Sequence, residues 1–268
     1  MQEFFELLRK VTSSPYHDRM IQSVAPLKDA LRIHHFWYYH VSETGFYTYI
    51  GTHAEWSAFC FENHLIDQFP CLRNPKSMQT STQLMKSMMN ASSKKVLDAA
   101  WEKFHINFNV NLLTRTHDGV EAFGFATDSN HPKMDEIIIN EVPLLKLFAK
   151  SFRINNKKIF DTAFENQVNI ASYLGPKFDE ITPNEFFNRT KLIEKLGLAP
   201  SLDLTKREKE LLSYLSCGFS SPYIADQLKL SCRTVENYID TIKGKLFCGS
   251  KSELILKAKE LFEIGYTR

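Results

Sequence analysis

The chain has 268 residues, 43% of them hydrophobic, and a formal net charge of +2, enough apolar material for packed cores and too much for a disordered chain. No apolar run approaches the ~20 residues of a membrane span, and Met1-Gln2-Glu3-Phe4-Phe5 lacks the basic, apolar, small-residue order of a secretory signal, so a cytoplasmic protein is expected. Cys60, Cys71, Cys217, Cys232 and Cys248 are odd in number and contain no C-x-x-C, which argues against a disulfide framework or a zinc site.

The predicted elements begin with a helix over Gln2–Val11. Ile33–Val41 (IHHFWYYHV) is dense in aromatic residues and reads as a strand. Ser42-Glu43-Thr44-Gly45 turns it into a second strand, Phe46–Ile50. Thr52-His53-Ala54-Glu55 fits a capping box opening a helix to about Ile66. Pro70 and Pro75 bracket a loop. Ser81–Trp101 reads as helical with a break at Ala91-Ser92-Ser93. From Phe104 to Leu112, apolar residues (104, 106, 108, 110, 112) alternate with His105, Asn107, Asn109 and Asn111, the pattern of a strand with one apolar and one polar face. Asp118-Gly119 turns it back into Val120–Ala126. A long helix is expected over Asp135–Arg153, with Pro143 kinking it or marking its true start. Another runs from Lys157 to Leu174 and is stopped by Gly175-Pro176. Four antiparallel strands with helices against them make an α+β domain over residues 1–176. Residues 177–200 read as a linker with a short helix, Glu185–Leu196.

Residues 201–268 read as a separate all-α domain of four helices. They hold 11 Lys+Arg against 9 Asp+Glu, so the whole basic excess lies here. Thr205-Lys206-Arg207-Glu208 is a capping box ahead of Leu211, Leu212 and Leu215. Ser221 caps a second helix with Pro222 in its first turn. Ser231 caps a third that buries Val235, Ile239, Ile242 and Leu246. Ser250-Lys251-Ser252-Glu253 opens a fourth with Leu254, Ala258 and Leu261 inward and Ile255 and Phe262 spare. Only Lys229-Leu230-Ser231 joins the second and third helices, a connection short enough for helix-turn-helix geometry. The free side of the third helix carries Arg233, Thr234, Glu236, Asn237, Tyr238, Asp240, Thr241, Lys243 and Lys245. Asn, Thr, Glu and Asp can address base edges, and Arg and Lys phosphates.

Leu204-Thr205-Lys206-Arg207-Glu208, Gly218, Ile224-Ala225, Leu228, Leu230-Ser231, Arg233-Thr234-Val235-Glu236, Gly244-Lys245-Leu246 and Ser250-Lys251-Ser252-Glu253-Leu254 together resemble the LuxR-type helix-turn-helix. The resemblance implies recognition of operator DNA by the third helix and a homodimer formed partly through the fourth. Pro222 departs from the basic residue often found at its position, and Tyr238 stands where many members have His.

Upstream, the turn after the first strand is not the acidic pair and crossover helix of a phosphoryl-accepting receiver. The order of elements resembles the sensor domain of quorum-sensing LuxR regulators, related in shape to PAS and GAF domains. Laid from Trp56, that family's Tyr falls on Cys60, its Asp on Phe69, its Pro on Pro70 and its second Trp near Leu84. The Asp that holds an acyl-homoserine lactone amide is therefore absent. Trp37, Tyr39, Tyr47, Tyr49, Trp56 and Phe59 form a candidate pocket for a small amphipathic ligand; the alternative is that they only fill a core, and that a protein partner gates the DNA-binding domain. His34, His35, His40, His53, His105 and His117 lack metal spacing, so no metal or cofactor is expected. With no G-x-S-x-G, P-loop or H-E-x-x-H, neither is an enzyme.

Overall fold

The computed structural model describes residues 2–11, 16–69, 71–78, 80–88, 93–180, 192–193, 195–197, 204–263 and 266. The chain divides into two compact units, Met1–Thr182 and Pro183–Arg268. Most of the expected linker helix lies outside the described residues, as do Pro70, Ala91 and Ser92. No helix among the described residues is long and apolar enough to cross a membrane.

The first unit is built on a six-stranded antiparallel sheet, order β3-β4-β5-β1-β2-β6: β1 Ile33–Ser42, β2 Phe46–Gly51, β3 Ser81–Leu84, β4 Asn107–Arg115, β5 Gly119–Thr127 and β6 Val168–Asn169. Its helices are α1 Gln2–Val11, α2 Tyr16–Leu31, α3 Ala54–Glu62, α4 Met85–Met88, α5 Lys94–Phe104, α6 Met134–Asn140, α7 Val142–Asn155, α8 Lys157–Glu165 and α9 Ile170–Leu174. Because side chains alternate along β1, the aromatic run serves two cores. Phe36 and Tyr38 face Phe148 and Phe152 of α7 and Phe160 of α8. Trp37, Tyr39 and, on β2, Tyr47 and Tyr49 face the other way, toward Phe4, Trp56 and Phe61.

Several expectations are corrected here. The sheet has six strands because Ser81–Leu84, expected to be helical, pairs with β4, and Val168–Asn169 breaks the expected Lys157–Leu174 helix to pair with Phe46 and Tyr47. The Asn169 side chain accepts from the Ser172 amide (3.0 Å) and starts a fresh helix there. Helix α2 was not anticipated; Pro26 inside it obscures its pattern. Pro143 lies in the first turn of α7, where its missing N–H breaks no bond. The Thr52 box does not form: its hydroxyl accepts from the Phe36 amide (2.9 Å) across the hairpin instead, and α3 ends at Glu62.

The largest departure is in β4. Its register with β5 shifts between Phe108 and Val110, a bulge that puts one extra residue into the strand. Side chains after the bulge swap faces, so Asn111 shares a face with Phe108, and Val110 pairs opposite Phe125. The expected polar face is buried: Asn107, Asn109 and Asn111 are all inside. Asn109 donates to Asp135 (2.7 Å) and accepts from the Thr127 amide (3.0 Å), which holds the bulge, and Asn107 donates to the Ser129 carbonyl (2.6 Å).

The second unit holds α10 Lys206–Ser216, α11 Ser221–Leu228, α12 Cys232–Leu246 and α13 Lys251–Glu263 around Leu211, Leu215, Ile224, Val235, Ile239, Ile242, Leu254, Ala258 and Leu261. Thr205 and Glu208 form the expected capping box on α10. On α11 the cap is Ser220, one residue earlier than expected, and the Ser221 hydroxyl accepts from Lys251 (2.8 Å).

Candidate nucleic-acid interface and buried cavity

The turn between α11 and α12 is closed by the backbone. Lys229 takes a left-handed φ of +54°, and the Leu230 amide donates to the Ala225 carbonyl (2.8 Å). Ser231 caps α12 by accepting from the Thr234 amide (3.0 Å). Underneath, Glu208 of α10 is 3% exposed and binds Lys245 (2.8 Å) and the Thr205 amide (2.6 Å). Burial pushes its carboxyl up, but Lys245 and Thr205 outweigh this and hold it below its ordinary value.

Arg233, Glu236, Asn237, Asp240 and Thr241 stand exposed on α12. Arg233 and Asn237 make no side-chain hydrogen bond among the described residues, so both are free to reach outward. The rest are engaged. Glu236 receives Lys251 (3.1 Å), Asp240 pairs with Lys243 (3.1 Å), and Thr241 donates to the Asn237 carbonyl (2.9 Å). Thr234 bonds the Ser231 hydroxyl (2.8 Å), Tyr238 packs on the helical core, and Lys245 is tied to Glu208. The turn, the capped helix and its outward donors make a helix-turn-helix. Residues 202–258 match the family model described as bacterial regulatory proteins, luxR family.

Residues 202–258 form a LuxR-family domain.

Relatives share this region. Oxygen regulatory protein NreC of Staphylococcus carnosus is 36% identical over 84 residues, 31% of this chain and 39% of that protein. The probable HTH-type transcriptional regulator GfsR of Streptomyces halstedii is 39% identical over 59 residues, 22% and 24% of the two chains. This chain therefore spans well under half the length of these relatives. A crystal structure of Escherichia coli SdiA aligns over 100% of this chain and 98% of that one, at 14% identity and a TM-score of 0.36. On the fourth helix of the LuxR-family domain, Ile255 is half-buried against the core and Phe262 is half-buried too, contrary to expectation; Leu256, at 62% exposure, is the apolar residue presented outward.

In the first unit the sheet face opposite α7 and α8 leaves a cavity of about 60 Å³. Trp37, Tyr39, Tyr47, Tyr49 and Trp56 all line it; Phe59 does not, and stacks between Trp56 and Phe104 instead. Sequence reasoning missed Phe4, His35, Phe61, Met85, Phe108 and Asn111, which come from distant elements. Cys60 and Phe69 also line it, whereas Leu84 is exposed. Among the described residues no Asp, Glu, Lys or Arg lines the cavity. Burial pushes up the Tyr39, Tyr47 and Tyr49 hydroxyls and the Cys60 thiol, and raises the Cys71 thiol to about 11. Burial also holds His35 well below its ordinary range, so the whole lining is uncharged near neutral pH.

The floor is made flat by glycine. In register across the sheet stand Asn111, Gly124, Trp37 and Gly51. A Cβ on Gly124 would stand far inside van der Waals contact with the Trp37 indole, and one on Gly51 would strike the Tyr49 ring.

At one end, the His53 ring lies 4.8 Å from that of His34 and 4.9 Å from that of His35. No group of His, Cys, Asp and Glu among the described residues is arranged to hold a metal. Burial, then the neighbouring rings, hold His35 and His53 below 6.5, His53 at about 4. In the unfolded chain these rings protonate near 6.5. The stability carried by the neutral rings is therefore intact above pH 6.5 and is lost as pH falls toward 4. We expect thermal melts of the full chain to show this decline, with His53 contributing roughly 1–2 kcal/mol after discounting for its partial exposure. His53→Gln should flatten the profile in that window; an identical profile would exclude His53 as a source.

Proposed function

We propose that this chain is a cytoplasmic transcription regulator in which a small uncharged molecule, bound in the aromatic cavity of residues 1–176, controls operator binding by the LuxR-family domain through the linker at 177–200. The DNA-reading half rests on one observation: a helix-turn-helix whose third helix presents Arg233 and Asn237 unencumbered. Asn237 reads a base edge and Arg233 a base or a phosphate. Lys243, paired with exposed Asp240, neutralises phosphate, while Lys245 supports α12 from below through Glu208. Asn237→Ala should weaken binding to an operator selected from random duplexes by ~1–3 kcal/mol, about tenfold or more, and leave random DNA unaffected. Equal loss on both would show that Asn237 does not read bases.

The sensing half is supported by the cavity, uncharged and walled by aromatic rings. The alternative, gating by a protein partner, is favoured by the exposed Leu144, Leu147 and Ile154 along α7. DNA binding that changes only with an added protein, never with a small molecule, would select it.

The domain acts as a homodimer. Its net excess of two positive charges is small for a DNA binder, and two copies on half-sites one helical turn apart double the phosphate contacts. Leu256 is the proposed contact. Leu256→Asp should leave helicity unchanged and abolish cooperative filling of a two-half-site operator. A footprint with undiminished cooperativity would move dimerisation off α13.

A further inference from the structure

Asn111 is fully buried, at 0% exposure, and neither its side-chain oxygen nor its nitrogen has a hydrogen-bond partner among the described residues. Such orphaned amides are rare inside proteins and call for a partner. Its neighbours Asn107 and Asn109 are satisfied by Ser129, Asp135 and Thr127. Asn111 differs because the bulge swings it into the cavity. On β5 the residue opposite is Gly124, with no side chain to meet Asn111, and the Trp37 indole lies over that glycine as a flat apolar floor. On β3 the residue opposite is Gln83, whose side-chain oxygen is likewise buried without a partner among the described residues. Tyr39 and Cys71, whose hydroxyl and thiol lie beside each other, line the same space.

We propose that Asn111 reads the ligand, and that the ligand is a small uncharged molecule with an N–H and a C=O side by side on one edge, as in a primary amide, a lactam or a cyclic urea. This rests on the ligand-sensing reading above. An Asn side chain presents one donor and one acceptor on a single planar edge. The group that satisfies both at once is its mirror, with donor and acceptor cis. An extended secondary amide points them in opposite directions and satisfies only one. Ions are disfavoured because no Asp, Glu, Lys or Arg among the described residues faces the space. The volume of about 60 Å³ is well below the ~150 Å³ of a cavity that takes up benzene, so the reading edge is borne by a molecule of a few heavy atoms, or by the tip of a larger one that displaces side chains.

The test titrates the full chain with 2-pyrrolidinone and with cyclopentanone, a ring of the same size that keeps the carbonyl and lacks the N–H. Nuclear magnetic resonance follows the side-chain NH₂ of Asn111, and the fluorescence of Trp37 and Trp56 provides a second readout. We expect 2-pyrrolidinone to bind at least tenfold more tightly, with a displaced Asn111 resonance. Asn111→Leu, which keeps the branched shape and removes both polar atoms, should bring the ratio to about one. Should that variant not fold, the wild-type ratio and the Asn111 resonance decide alone. Equal affinity of the two probes in the wild type would overturn the proposal, leaving Asn111 satisfied by water and ligand sensing intact. Saturable binding of neither would also overturn the proposal.

Discussion

Glu208→Ala should unfold the LuxR-family domain while leaving the first unit folded. Glu208 joins the start of α10 to the end of α12, through the Thr205 amide and Lys245. Removing it strips one half of the capping box and takes the buried carboxylate away from Lys245, itself half-buried. Loss of one member of a buried pair costs about 3–5 kcal/mol, and about 2–4 is expected here because Lys245 keeps some contact with water. A helical unit of this size carries only about 3–5 kcal/mol in all, so the loss consumes most of it. The three tryptophans, Trp37, Trp56 and Trp101, all belong to the first unit. Urea titration should therefore show helicity lost early by circular dichroism with no change in tryptophan fluorescence. DNA binding should vanish with that early phase. Glu208→Gln, which can still cap, should fall between. A single transition at the wild-type midpoint would show that the pair adds nothing.

Gly124→Ala should disturb the first unit alone. Its new methyl group has no free space, because the Trp37 ring occupies it and is itself buried. Forcing a carbon into a filled core costs about 1–3 kcal/mol, and for a unit of this size each kcal/mol lowers Tm by about 2–4 °C. The variant should melt several degrees lower, with altered tryptophan emission, and should lose any response to cavity ligands while retaining basal DNA binding. A melting curve within a degree of wild type would mean that the indole moves aside freely.

The second unit was the more legible part of the sequence because each of its elements is local. Thr205 and Glu208, or Ser231 and Thr234, meet within one turn of helix, so spacing alone brings them together. The first unit depends on partners far apart in the chain. Aromatic density and a turn signal identified β1 and β2, and period-two alternation identified β4, yet alternation assigned Asn111 to the polar face, since a bulge leaves no mark in residue type. Strand β3 was missed because a four-residue edge strand owes its pairing to β4 rather than to its own composition. The cavity's aromatic walls were visible in IHHFWYYHV and FYTYI. Phe4, Met85 and Phe108 were not, because only the three-dimensional fold brings α1, α4 and β4 to the same place.

The outer strands of the sheet carry a consequence for how copies of this protein can meet. A bare strand edge is a template on which another chain can extend the ladder, and many aggregates start there. At one end β6 covers only Phe46 and Tyr47, and the remainder of β2, Thr48–Gly51, is buried. At the other, β3 offers four residues, broken off directly by α4. Growth from one molecule to the next by strand addition has almost nothing to grip. The proposed homodimer is thereby left to helical surfaces, where specificity is set by side chains rather than by an indiscriminate backbone.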